Sequence, residues 1–242
     1  MVAVFQKSER VRHLGHLDIQ RAVQRGLRRS GLPVAYSNGF NPHIQVSFAS
    51  ALSTGAAGLR EIMDVKMAED VSEAEFLERM NAAMPPELAL SAARAVDDRH
   101  PAMSASLRAG EYEIIPRDPA QAERLIPVIP RMMERGEIRV SRKTKSGISE
   151  VDMKPLIYGI GGEGRTVKAT LALTEKSSCK PAMILEGLKR EAGMADEEEV
   201  RVLVIRTRLL GEGPDGALNR ARTAGASASR TAHGMLMPLE DV

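Results

Sequence analysis

Cysteine and aromatic residues are the scarcest components of this chain. Cys179 is the single cysteine among 242 residues, so no internal disulfide can form. One thiolate also cannot hold an iron–sulfur cluster, which takes about four. A reducing cytoplasm is the simplest home for such a chain. There is no tryptophan, and there are only three tyrosines and four phenylalanines. The aromatic pair with which an RRM-type sheet stacks RNA bases is therefore not expected. No apolar run is long enough to cross a bilayer, and Met1 does not open the basic, apolar and small-residue order of a signal peptide. No membrane role is expected. The phosphate loop G-x-x-x-x-G-K-[ST], the G-x-S-x-G elbow and Cys-x-x-Cys are all missing.

What remains is ordinary in bulk and uneven in detail. Hydrophobic residues make up 43% and charged residues 27%, which suffices for a normal core. The length suits one large domain or two small ones. Net charge is only +2, but it is not spread evenly. Residues 1–48 carry Lys7, Arg10, Arg12, Arg21, Arg25, Arg28 and Arg29 against Glu9 and Asp18. Residues 60–98 reverse the sign, with four basic and ten acidic side chains. Residues 139–146 add Arg139, Arg142, Lys143 and Lys145 without an acid. Two basic patches beside an acidic region suit a polyanionic partner, and an uneven solvated surface is the equal alternative.

The pattern of elements repeats. Val2–Gln6 reads as a strand, and Ile19, Val23, Gly26 and Leu27 give Leu17–Ser30 a helical spacing that Gly31 and Pro33 end. Extended segments follow at Gln45–Ala49 and Glu61–Met67. Ser72 and Glu75 form a capping-box pair before a helix that stops at Pro85-Pro86, and Leu88–Val96 reads as a strand. The second half offers Leu107–Ile115 as a strand, then a helix begun by Asp118-Pro119 with Gln121 as box partner. Strands at Glu137–Arg142 and Thr166–Leu173 flank a long insertion, with a helix at Pro181–Ala192 and a last strand at Arg201–Leu209. Both orders are β-α-β-β-α-β. The expected fold is α+β, with two ferredoxin-like units in tandem at 1–98 and 103–210, the second carrying a basic insertion. Residues 211–242, rich in Gly, Ala, Ser, Arg and Thr, are expected to form a disordered tail.

Candidate chemistry concentrates in the first unit. Arg21, Arg25 and Arg28 fall at i, i+4 and i+7, one helix stripe that could fork onto phosphates. The alternative is a wet helix face with an Asp18–Arg21 pair. His16 and Asp18 lie where the helix begins and attracts anions; capping accounts poorly for Asp18 if the helix starts earlier. The loop Tyr36-Ser37-Asn38-Gly39-Phe40-Asn41-Pro42-His43 holds more than a turn requires. Asn38-Gly39 permits positive φ, Phe40 would anchor in the core or stack on a ligand, and Pro42 fixes the direction of His43. His13, His16 and His43 fit no standard metal spacing, so no metal is expected. Gly159–Gly164 reads as a flexible hairpin turn, and Cys179 as a small inert side chain. The Arg139–Ser146 segment is either a contact for a nucleic-acid backbone or a lysine-protected edge strand.

Arg12 through Arg21, Gly31-Leu32-Pro33, and Tyr36–His43 with Ser47-Phe48-Ala49 resemble the radical SAM-linked protein family. Its members are bacterial proteins of unknown biochemical function, encoded beside or fused to radical SAM proteins that themselves resemble cobalamin-binding enzymes. The resemblance is strongest over residues 1–65 and extends to about residue 210, with Thr144–Gly147 and Glu150–Asp152 as a second shared stretch. It covers His16, Asp18, Arg21, Asn41, Pro42 and His43. His13, Ile44, Gln45 and Arg60 depart from the family pattern. The resemblance implies a radical SAM partner that would carry the iron–sulfur cluster and S-adenosylmethionine, with cobalamin as a further candidate; none is expected on this chain. The leading expectation is a non-catalytic accessory protein that holds RNA or another anionic macromolecule for that partner. His16, Asp18, Arg21, Asn38, Asn41 and His43 would bind substrate, and Arg25, Arg28, Arg139, Arg142, Lys143 and Lys145 would extend the charged surface. The alternatives are a metal-independent RNA-processing enzyme using His16 or His43 as base, and a protein–protein scaffold.

Overall fold

The computed structural model describes residues 1–97, 99–144, 147–174, 177–211, 230–231, 234–235 and 237–238. The fold is mixed α+β with mostly antiparallel strand pairing. The chain divides into two compact units, built mainly from Met1–Leu107 and from Arg108–Met237.

The first unit runs β1 (Val2–Lys7), α1 (His16–Ser30), β2 (Val46–Phe48), β3 (Ala56–Val65), α2 (Glu73–Ala83) and β4 (Leu90–Arg94). Its strands lie in the order β4-β1-β3-β2, and every neighbouring pair is antiparallel. Alternation puts Ala3 and Phe5 of β1 and Met63 and Val65 of β3 into one core with Ile19, Val23 and Leu27 of α1. Phe76 and Met80 of α2 close it. Each fully buried large side chain contributes about 1.5–3 kcal/mol, so two amphipathic helices suffice to hold the sheet face. The local signals act as their chemistry requires. Gly31 ends α1 in the left-handed conformation at φ 64°. Ser72 Oγ accepts from Glu75 N–H at 3.2 Å to start α2. A short α3 (Met103–Ser106) follows, its Met103 N–H donating to the Asp64 carboxylate at 3.2 Å.

The second unit runs β5 (Leu107–Pro116), α4 (Pro119–Leu125), α5 (Ile129–Glu134), β6 (Arg139–Thr144), β7 (Gly147–Asp152), β8 (Ile157–Glu163), β9 (Thr166–Ala172), α6 (Pro181–Glu191) and β10 (Val202–Gly211). Its sheet order is β10-β5-β9-β8. Three expectations need correction here. The strand expected at Glu137–Arg142 is β6, and it pairs with β7 as a separate two-stranded sheet. The sheet position expected for it belongs to β8, whose glycines were read as a flexible turn; cross-strand pairing with β9 holds Gly159–Glu163 extended, and the turn is confined to the residues between them. Gln121 does not close a capping box. Asp118 alone caps α4, accepting from Ala120 N–H at 2.9 Å, while Gln121 Nε2 donates to Glu199 O at 2.9 Å.

The β6–β7 hairpin is tied down. Val140 and Met153 are fully buried in the second core. Ser141 N–H donates to Glu186 of α6 at 2.8 Å, and Asp152 accepts from Ile138 N–H and Lys154 N–H at 2.8 and 3.0 Å. Most of the tail expected at 211–242 lies outside the described residues; within it β11 (Arg230–Thr231) and β12 (Gly234–Met235) pair antiparallel. Among the described residues no helix is long and apolar enough to cross a membrane.

Candidate functional site

The start of α1 gives Asp18 local partners. The helix begins at His16, not Leu17, so Asp18 occupies its third position. There its Oδ2 accepts from Gly15 N–H at 3.3 Å, and its Oδ1 accepts from Arg21 at 3.4 Å. Both side chains are more than half exposed. Asp18 is thus a cap and a weak surface partner, contrary to the expectation that capping explains it poorly.

His16 is half-buried and sits at the edge of an aromatic ladder. Its ring meets Phe48 edge-on, with centroids 5.2 Å apart, and Phe48 meets Phe5 in the same way at 5.8 Å. Beside this ladder lies a cleft of about 20 Å³, lined in part by Lys7, His16, Phe48, Ser50 and Glu61. That is room for one water-sized group.

Two residues of this cleft were missed from the sequence. Lys7 and Glu61 are 2% and 3% exposed. Lys7 continues the alternation of Ala3 and Phe5 onto the core face, and that phase was the available signal. Its Nζ donates to the carbonyls of Arg12 and Leu14 at 2.8 and 2.9 Å, which ties the loop before α1 to the sheet. The β1–β3 register shifts between Phe5 and Lys7, and Glu61 folds back over Gly58. A Cβ on Gly58 would lie 2.5 Å from Glu61 Oε1, so the carboxylate's position requires glycine there. Charged groups of both signs thus floor a cleft with an imidazole at its rim.

The loop expected to face His16 closes on itself. Residues 36–44 form a hairpin closed by a Tyr36–Ile44 bridge and by Ser37 N–H donating to His43 O at 2.8 Å. His43 N–H donates to Ser37 Oγ at 3.1 Å, and Gln45 Nε2 to Tyr36 O at 2.9 Å. Asn38, Asn41 and His43 are exposed. Phe40 is fully exposed and does not anchor the loop in the core. Among the described residues no hydrogen bond, ion pair or ring contact joins His16 to His43.

The arginines are brought together differently. Arg21, Arg25 and Arg28 are all exposed on α1. A groove of about 760 Å³ between α1 and α2 is lined by Arg25, Arg29 and Arg79 over a floor of Ala22, Ala82 and Ala83. Arg29 donates to Ala83 O. Arg79 donates to Ser30 O at 3.0 Å and to Glu75 at 2.8 Å. These two guanidinium groups staple one helix to the other. Arg25 and Arg28 have no hydrogen-bond or ion-pair partner among the described residues. No Asp or Glu occurs between Asp18 and Glu61, so no local acid neutralises this surface from within its own segment.

The second basic segment is more compensated. Arg139 meets Glu137 at 3.1 Å and Glu150 at 3.9 Å. The Glu137 hydrogen bond and charge hold the Arg139 guanidinium even above its usual range. The backbones of Arg142 and Lys143 lie in β6, opposite Ser149 and Ile148. Lys145 lies outside the described residues. Elsewhere in the first unit a groove of about 590 Å³ carries Asp64, Glu69, Asp70, Asp97 and His100. Burial pushes the Asp64 carboxyl up, partly offset by its hydrogen bond from Met103. Among the described residues no group of three or more His, Cys, Asp or Glu is arranged to hold a metal ion. Cys179 is buried at 1% exposure.

Among curated proteins none matches this chain. The family model of an uncharacterized protein conserved in bacteria, DUF2344, matches residues 1–181, which takes in Met1–Leu107 of the first unit, the β6–β7 hairpin and β9. That match carries neither an assigned activity nor the radical SAM link implied by the resemblance. The chain belongs to this bacterial family, DUF2344.

Proposed function

We propose that this protein is a non-catalytic accessory factor that binds RNA or a similar polyanion through the exposed face of α1. One observation carries the reading: Arg21, Arg25 and Arg28 share an exposed stripe, Arg25 continues into the arginine-lined groove, and the segment from Ile19 to Arg60 contains no acid. Guanidinium groups spaced along a helix suit successive phosphates, and phosphate contacts release counterions. Both units are read as ferredoxin-like, supported by the matching orders β4-β1-β3-β2 and β10-β5-β9-β8. The radical SAM partner rests on the sequence resemblance alone. That partner would supply the cluster and S-adenosylmethionine, in the cytoplasm that a single buried cysteine suits. RNA processing by this chain itself draws less support, because His16 packs on Phe48 and among the described residues no hydrogen bond joins it to His43.

The test is filter binding of single-stranded RNA across a salt series. Log affinity should fall linearly with log salt. Arg25→Glu with Arg28→Glu should weaken binding and flatten the slope by about 1.4, for two lost contacts at roughly 0.7 each. No binding by the wild type at low salt removes the reading. Capture of a radical SAM protein from RNase-treated extract tests the partner separately.

A further inference from the structure

We infer that the 36–44 hairpin is a base-stacking site, in which Phe40 receives one unpaired nucleobase of the bound RNA; this rests on the polyanion reading above. A phenylalanine with its whole ring in water is costly for a monomer, because its apolar area stays solvated. Of the four phenylalanines, Phe5 and Phe76 are buried and Phe48 is half-buried in the aromatic ladder. Only Phe40 stands clear.

The hairpin carries that ring on a constrained backbone. The Tyr36–Ile44 bridge closes its base, and Ile44 is buried at 3% in the core of the first unit. The paired hydrogen bonds between Ser37 and His43 hold the two arms together just below the tip. Gly39 takes φ 120°, which a side chain would resist, and this lets the chain reverse immediately before Phe40. A ring carried on a backbone closed this way costs less ordering of the chain on binding than one on an open loop.

The surroundings choose the occupant. The same hairpin carries Asn38, Asn41 and His43, all exposed. The amides offer donors and acceptors together, with an imidazole beside them, which is what the edges of a nucleobase require. An apolar pocket on a protein partner would leave those groups unpaired at its rim. No acid lies in the hairpin or anywhere from Ile19 to Arg60, so past Asp18 at the start of α1 the phosphates flanking a stacked base meet no repulsion from this segment. Stacking accepts any base, whereas the amides add preference among them.

The chain contains no tryptophan, so Phe40→Trp installs a single reporter. Full-length protein carrying Phe40→Trp should lose fluorescence on adding an unstructured RNA of about twelve nucleotides, and should respond little to duplex RNA of equal length. Phe40→Ala should weaken single-strand binding about 5- to 100-fold, and change duplex binding by less than about twofold. Single-strand affinity unchanged in Phe40→Ala, with loss in the Arg25/Arg28 double variant, overturns the stacking site and leaves the polyanion reading standing. Unchanged RNA affinity with loss of radical SAM protein capture in Phe40→Ala assigns the tip to a protein and overturns it too. Absence of RNA binding by the wild type overturns both.

Discussion

Replacing Glu191 by glutamine should loosen the second unit in a way that depends on pH. Glu191 ends α6 with its side chain only 4% exposed. Arg131 reaches it from α5, donating both to its carboxylate and to its main-chain carbonyl, and Arg135 Nε lies 2.5 Å from its other oxygen. The Arg135 hydrogen bond, against the opposing effect of burial, leads the causes that hold this carboxyl below the usual glutamate range. Glutamine keeps the shape but turns an NH2 group toward one guanidinium. One charge-assisted hydrogen bond is lost, worth roughly 1.5–3 kcal/mol when fully sheltered. Both arginines are more than 60% exposed, so water screens part of that attraction. A net loss of about 1–2 kcal/mol follows.

That loss should lower the thermal midpoint by about 2–8 °C. The sign with pH is set by the depressed carboxyl. Its contribution is complete above the unfolded glutamate value of about 4.3, and it disappears as pH falls through the lower folded value. Paired melts of wild type and Glu191→Gln at pH 7, 5 and 3 should therefore show a constant gap at the first two and a narrowing one at the last. Identical melting at pH 7, or a gap at pH 3 as wide as at pH 7, would refute the staple. The staple matters beyond α6, because Glu186 and Arg190 of the same helix hold the β6 backbone at Ser141 and Arg139.

Two further changes test the first unit. Lys7→Met removes the Nζ that serves the Arg12 and Leu14 carbonyls and leaves Glu61 buried; the loss should be about 3–5 kcal/mol, read by urea unfolding, with faster amide exchange for residues 12–16 if the variant folds. Asp64→Asn should become relatively more favourable as pH rises from about 4 to 7. The folded carboxyl is held up by burial, so the wild type loses stability through that window while asparagine does not titrate. A drift in the opposite direction in urea midpoints would contradict the assignment.

Local rules carried much of the fold, and their failures have one cause. Ser72, Asp118 and Gly31 announced helix ends because each satisfies its neighbours without help from elsewhere. Gly159–Gly164 misled because strand formation there depends on β9, not on its own glycines. Gln121 found a partner in Glu199, far along the chain, in place of the local one. The site divides in the same way. The stripe of Arg21, Arg25 and Arg28 follows from helical period alone. The groove does not, since Arg79 and the alanines of α2 complete it. Lys7 and Glu61 escaped notice because a charged residue in phase with a core face contradicts polarity, and only their burial resolves the conflict.

Charge placement within the first unit gives the proposed ligand a direction. The segment from Ile19 to Arg60 is free of acids and presents Arg25 and Arg28, which have no hydrogen-bond or ion-pair partner among the described residues. From Glu61 onward the sign turns, and the groove bearing Asp64, Glu69, Asp70 and Asp97 collects negative charge. A polyanion drawn to α1 gains nothing by extending into that groove, where like charges raise its energy. Attraction alone would let an RNA slide over any basic surface. Repulsion on another part of the same unit limits the orientations it can take, and an orientation is what an accessory protein must impose to present one nucleotide rather than many. Exchanging the groove's acids for amides (Glu69→Gln, Asp70→Asn, Asp97→Asn) should thus strengthen RNA binding while blurring the single-strand preference attributed to Phe40, and tighter binding with that preference intact would show that the acids set affinity but not direction.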